Sequence, residues 1–125
     1  MVVGVLQFEL HIHGAESLKD KRRVVKSLRD RLHREHLVSV AEVGAQDTLN
    51  LAVMGVALAG SDGARVARVL DSIDAKLRSM TDAELGSTRR EIIHGQTLDA
   101  QPEDELDQDA LAQEMLARAG GEGRA

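Results

Sequence analysis

Three clusters of residues in this 125-residue chain have types and spacing suited to chemistry, and the densest is Lys19, Lys21, Arg22 and Arg23, continued by Lys26 and Arg34. Lys and Arg spread along one helical face can neutralise backbone phosphates, an attraction that is sequence-independent, long in reach and weakened by salt. The run Ser17-Leu18-Lys19-Asp20-Lys21-Arg22-Arg23 reads as the opening of a helix. The first turn of a helix carries partial positive charge, so each exposed cation there costs about 0.3–1 kcal/mol. A local rule broken without visible compensation points to the holding of an anionic partner. The second cluster is Glu9, His11 and His13, alternate residues on one strand face. Its two imidazoles stand about 7 Å apart by strand geometry. That spacing permits a metal site or a pH response, but ligation needs donors converging from other strands, and polar residues at a strand end are ordinary. In the third cluster, residues 42–47 offer two carboxylates and an amide near a tight turn. Turn chemistry explains these equally well. No cofactor and no metal are expected.

The elements that must position these groups are legible from periodicity. Leu6, Phe8, Leu10 and Ile12 alternate with Gln7, Glu9, His11 and His13, the period of a half-buried strand. Gly14-Ala15-Glu16 turns the chain, Ser17 stands at a helix N-cap, and Asp20 three residues on completes a capping-box pattern. Leu18, Val25, Leu28 and Leu32 then fall on one face of the helix, with Lys19, Arg23, Lys26, Asp30 and Arg34 opposite. Lys21 is the odd member. Helical geometry turns it toward the apolar side, where its stem can pack while the ammonium reaches the loop before the helix, or pairs with Glu16 or with a carboxylate of the following hairpin. Residues 37–43 and 49–58 read as two strands joined at Gly44-Ala45-Gln46-Asp47. Ser61-Asp62-Gly63 opens a second helix through Val66, Leu70, Ile73, Leu77 and Met80, and residues 83–93 return to an extended pattern.

The order βαββαβ predicts an α+β, ferredoxin-like two-layer sandwich over residues 1–95, with a four-stranded antiparallel sheet and both helices on one face. In that arrangement Val3, Val5, Leu49, Leu51 and Val53 share the uncovered face of the sheet. Such a face is too apolar to be left in water; a second copy of the chain is the preferred cover, and the Leu111-Met115-Leu116 segment of the tail or a protein partner are the others. Beyond residue 95 the periodicity stops, and an acidic, largely disordered tail over 96–125 is expected, with a short amphipathic helix at 109–118.

Composition narrows the function. The chain has no Cys, Trp or Tyr, and Phe8 is its one aromatic residue, so disulfides, thiolate metal sites and stacking surfaces are absent. A ferredoxin-like sheet that reads single-stranded RNA needs two or three aromatic side chains, so an RNA-recognition motif is excluded. The acylphosphatases, which share the fold, carry an Arg-bearing phosphate loop after the first strand, and Gly14-Ala15-Glu16 supplies no such residue. No enzyme activity is expected. The net charge of −5 divides unevenly. Residues 1–94 hold 14 Lys and Arg against 13 Asp and Glu, a net of +1, whereas residues 95–125 hold 8 acids against Arg118 and Arg124, a net of −6. Residues 17–36 alone reach +5. No apolar run approaches the roughly 20 residues that span a bilayer. A cytoplasmic protein is the expectation, with no membrane partner.

The strand ending near His13, the run Ser17-Leu18-Lys19-Asp20-Lys21-Arg22-Arg23 and the run Ala41-Glu42-Val43-Gly44-Ala45-Gln46-Asp47 together resemble the YlxP-like family, small bacterial proteins classed as a domain of unknown function (domain 503). The resemblance covers residues 1–94. It implies a ferredoxin-like fold and a gene commonly found among those for translation initiation and ribosome maturation. It implies no established activity and no catalytic residue, and the acidic tail lies outside it. The expected function is non-catalytic binding of ribosomal or other structured RNA through Lys19, Lys21, Arg22, Arg23, Lys26 and Arg34. The alternative is a homodimeric protein-interaction or small-ligand module whose cations form an ordinary solvated face, through i,i+4 pairs such as Lys26 with Asp30, Asp30 with Arg34, and Arg31 with Glu35.

Overall fold

Alternation carries the first strand further toward the N-terminus than the polar residues alone suggest, because Val2, Gly4, Leu6, Phe8 and Leu10 all point to one side. In the computed structural model, which describes residues 1–100 together with 115 and 116, β1 spans Val2–His11. It is followed by α1 (Leu18–Glu35), β2 (Ser39–Gly44), β3 (Leu51–Gly60), α2 (Gly63–Arg78) and β4 (Glu84–His94). The strands form one antiparallel sheet in the order β2-β3-β1-β4. This is the ferredoxin-like arrangement, with β2 and β4 as its edges. The tail expected at 96–125 lies outside the described residues from 101 onward, apart from Met115 and Leu116, which are helical and exposed.

Both helices begin on side-chain caps. Ser17 is the N-cap of α1, and its hydroxyl accepts from the Asp20 amide at 3.2 Å. The Asp20 carboxylate closes the box one residue early, accepting from the Glu16 amide at 3.1 Å rather than from that of Ser17. Asp62 caps α2, accepting from the Ala64 amide at 3.0 Å. At the opposite end of α1, the Lys76 ammonium of α2 joins the Glu35 carboxylate and donates to His36 Nε2 at 2.7 Å. These two contacts join the helices at that end. Burial and the neighbouring ammonium push the His36 imidazole below its ordinary pKa.

The core is aliphatic apart from Phe8. Leu6, Phe8, Leu10 and Ile12 meet Ala52, Met54 and Val56 from β3 beneath Leu28 and Leu32 of α1 and Leu70, Ile73 and Leu77 of α2. The opposite sheet face carries Val3 and Val5 of β1 and Leu51 and Val53 of β3, as the alternation requires, but at opposite ends of the ladder, with Val3 and Val5 beside Ala59 and Ala57 and with Leu51 and Val53 beside His11 and Glu9. Leu49 departs from that expectation, because β3 starts only at Leu51 and leaves Leu49 in the hairpin connection. Leu37 likewise lies outside β2 and is 99% exposed.

Val66 of α2 sets how closely the layers approach. A methyl group built on Gly4 would lie 2.5 Å from Val66 Cγ1, and one built on Gly60 2.8 Å from Val66 Cγ2. Gly4→Ala therefore has to displace α2, and overpacking of this kind costs about 1–3 kcal/mol. Urea unfolding should show that loss as a lower midpoint, and an unchanged midpoint would mean that α2 shifts freely.

Candidate nucleic-acid interface

An amphipathic helix needs a residue on its buried stripe at every third or fourth position, and in α1 the stripe runs Leu18, Lys21, Val25, Leu28, Leu32. The second of these is a cation. Lys21 is 1% exposed, and its ammonium donates to the carbonyls of Ala45 at 2.6 Å and Thr48 at 2.7 Å, with the Gln46 carbonyl at 3.4 Å. Glu42 Oε2 stands 2.9 Å away and supplies the counter-charge. The β2–β3 connection is shaped for this. Ala45 takes φ +56, in the left-handed region, and Thr48 donates back to its carbonyl at 3.0 Å, which curls the peptide oxygens inward around the ammonium. The motifs at 17–23 and 41–47 are thus two halves of one contact.

This geometry corrects the set of phosphate-binding residues expected from sequence. Lys21 has no surface to offer a polyanion, because its charge is spent on the hairpin; of the open alternatives, pairing with a hairpin carboxylate is the one found. Lys19, Arg22, Arg23, Lys26 and Arg34 remain on or near the surface. Of the three i,i+4 pairs expected, Lys26 meets Asp30 at 3.1 Å and Arg31 approaches Glu35 at 3.7 Å. The Lys26 hydrogen bond holds the Asp30 carboxyl below its usual range. With Asp30 engaged by Lys26, Arg34 forms no ion pair with it. Among the described residues, Lys19, Arg22, Arg23, Arg29 and Arg34 have no carboxylate within ion-pairing distance.

Arg29, which is not among the residues expected from sequence, lines the same groove as Arg22 and Lys26. Successive helical residues advance by about 100°, which puts positions 22, 26 and 29 on one flank. Glu35, which meets Lys76 of α2, lies on the other. The cationic flank therefore overhangs the β2 edge, and Arg22, Lys26 and Arg29 share a groove there with Val25, Glu42 and Met54. The i, i+4, i+7 spacing was the available signal. It needed the position of β2 to become a site rather than a pattern.

The two histidines are engaged with each other and with an acid. His13 Nε2 lies 2.9 Å from Glu84 Oε2, and the rings of His11 and His13 stack with centroids 6.3 Å apart. Hydrogen bonding from His13 lowers the Glu84 pKa. Gly86 makes room for the arrangement, since a Cβ there would meet His11 Nε2 at 2.7 Å. Among the described residues no group of three or more His, Cys, Asp or Glu is placed to hold a metal ion. No helix among them is long and apolar enough to cross a membrane.

Comparison with known proteins agrees with this geometry in extent. A family model described as "Protein of unknown function (DUF503)" matches residues 3–90, which contain both motifs and all four strands through Arg90. The chain is 32% identical over 90 residues to the "Uncharacterized protein YlxP" of Bacillus subtilis (strain 168), covering 72% of this chain and 98% of that protein.

Removing one partner of a buried charge pair is costly, about 3–5 kcal/mol, because the other is left uncompensated. Lys21→Met should lower stability by an amount near the bottom of that range, given that Glu42 keeps some access to water. Below its melting temperature the variant should keep whatever polyanion affinity the natural chain has. Calorimetry and binding measured on the same preparation separate the two effects, and a loss of binding without a loss of stability would return Lys21 to the interface.

Proposed function

The chain belongs to DUF503, the YlxP-like family of bacterial proteins of unknown function, and on that premise we propose that it is a non-catalytic binding protein whose α1 holds the backbone phosphates of structured RNA. The observation that carries the reading is the charge left over after every intramolecular pairing is counted. Lys21 is satisfied by the hairpin and Lys26 by Asp30, yet Lys19, Arg22, Arg23, Arg29 and Arg34 have no such partner among the described residues. Three of these crowd the first two turns, where the helix dipole opposes them. Binding of this kind recognises charge and shape, since the sheet offers no aromatic platform and Phe8 is buried under the helices. Ribosomal RNA is the natural probe, given the gene context that the family resemblance implies.

A second reading rests on the uncovered face of the sheet. Val5, Gln7, Ala41, Val43, Gly55 and Ala57 line a shallow apolar trough across β1, β3 and β2, and Val43 is 53% exposed. A homodimer joined there would serve as an interaction or small-ligand module with no need of RNA, or would pair two basic helices and strengthen weak phosphate contacts by avidity.

Filter binding to a ribosomal RNA fragment should weaken steeply with salt, with log affinity falling about 0.7–0.9 per log unit of salt for each phosphate neutralised. The triple variant Lys19→Glu, Arg22→Glu, Arg23→Glu should reduce that slope by about 2–3 and affinity by at least about tenfold, while raising the melting temperature because the helix dipole then favours the new charges. Unchanged affinity rejects the RNA reading.

Sedimentation equilibrium at tens of micromolar addresses the second reading, with a dimer expected and Val43→Lys expected to dissociate it. A monomeric natural chain rejects dimerisation.

A further inference from the structure

The two edges of the sheet are protected very differently. β4 exposes Arg89, Arg90 and Glu91, and Arg90 reaches Asp71 of α2 at 2.7 Å, so this edge is charged and partly covered. Charged side chains are the usual protection of an open edge. β2 carries Ser39, Val40, Ala41, Glu42, Val43 and Gly44, and its one charge is turned away under α1 to meet Lys21. A register shift between Glu42 and Gly44 disturbs the top of the strand, which leaves residues 39–42 as regular edge whose one charge is already paired with Lys21. One row of its backbone N–H and C=O groups faces outward, as at any sheet edge, and can pair with an added strand.

The surroundings specify what that strand must look like. On the helix side, the edge lies beneath the groove lined by Arg22, Lys26 and Arg29. On the other side it borders the apolar trough of Ala41 and Val43. Side chains of an added strand alternate between these two sides. An occupant therefore needs an acid at every second position facing the helix. In the acidic segment of this same chain, Glu103, Glu105, Asp107 and Asp109 stand at alternate positions, with Asp104, Leu106 and Gln108 between them and Pro102 just before. Proline is tolerated at the first position of an edge strand. Three acids at alternate strand positions span about 13 Å. Arg22 to Arg29 spans about 10 Å by helical rise, a difference that long side chains absorb.

The reach is sufficient within one chain. Residues 95–97 are held beside Met1, where the Gly95 amide donates to the Met1 carbonyl at 2.7 Å and the terminal ammonium donates to Thr97 Oγ1. From there to the outside of β2 is four strand spacings, about 19 Å. The eight steps from Thr97 to Glu105 extend to about 26–29 Å. We propose that the chain's own acidic segment, centred on Glu105, Asp107 and Asp109, adds as a fifth strand parallel to β2 and places its carboxylates against Arg22, Lys26 and Arg29. Tethering supplies an effective concentration in the millimolar range, so weak pairing suffices. The inference does not rest on RNA binding. Where RNA does bind, the segment competes with it for the same cations.

Residue-resolved amide hydrogen exchange on the full chain tests this. Alternate amides within residues 39–44 face outward, and these should be protected in the natural chain and lose protection as salt rises. Neutralising the segment (Glu103→Gln, Glu105→Gln, Asp107→Asn, Asp109→Asn) should speed their exchange by at least about tenfold while β1 amides stay unchanged. A charge-swapped chain, with those four residues changed to Lys and Arg22, Lys26 and Arg29 changed to Glu, should recover protection. Outward β2 amides that exchange identically in the natural and neutralised chains overturn the proposal. Protection that grows with protein concentration also overturns it, by assigning the edge to a second copy.

Discussion

A lysine that is 1% exposed is tolerated only when its charge and its donors are both satisfied, and the arrangement around Lys21 achieves this with one carboxylate and the carbonyls of a single turn. Much of the molecule's charge distribution follows from that contact. Because Lys21 occupies the buried stripe of α1, the helix cannot rotate about its axis without dragging a charge into the aliphatic core. Its rotation fixes which cations look outward, which overhang β2 and which meet α2. The same contact holds the β2–β3 connection in its curled form, so the hairpin and the helix are locked as one unit. Stability and the display of positive charge thus have a common origin here.

The remaining charges divide into those that fasten the fold and those that do not. Lys76 bridges Glu35 and His36 at one end of the helical layer, and Arg90 fastens β4 to α2 through Asp71. These are structural uses of cations, reached by long side chains lying along apolar surface. The cations of the first turns of α1 have no such role, with Lys21 the exception. Their placement works against the helix dipole, so the fold gains nothing from them. A partly compensated basic flank, beside an apolar trough and a sheet edge whose one charge is already paired, is a surface that presents three kinds of contact within a few residues of one another.

Legibility differed by element for physical reasons. β1 and α1 announced themselves because one face of each is buried against a continuous core, so their periodicities of two and 3.6 are clean in the residues themselves. The capping pattern at Ser17 and Asp20 was legible too, although the reciprocal bond lands on Glu16. β2 and β3 were shifted by about two residues at their N-terminal ends, since Leu37 and Leu49 look like strand residues by type but lie in loops. Apolar character cannot separate a strand end from a loop that happens to be apolar. Arg29 is not legible in this way, because its place in the groove depends on the neighbouring strand rather than on its own helix.

What the sequence determined alone is the architecture: hydrophobic period, caps and turn residues act over short distances, and together they admit one arrangement of four strands and two helices. The family was legible for the same reason, as two local motifs. Spacing along α1 sufficed for the Lys26–Asp30 and Arg31–Glu35 pairs, and tertiary structure decided the charges that meet other elements. Whether a lysine on a helix is a ligand for phosphate or a clamp on a hairpin depends on which carbonyls and carboxylates arrive beside it from residues more than twenty positions away. Helical periodicity already separates Lys21 from Lys19, turning one to the apolar side and the other away, but only the folded sheet brings Glu42 and the Ala45 and Thr48 carbonyls to the buried one.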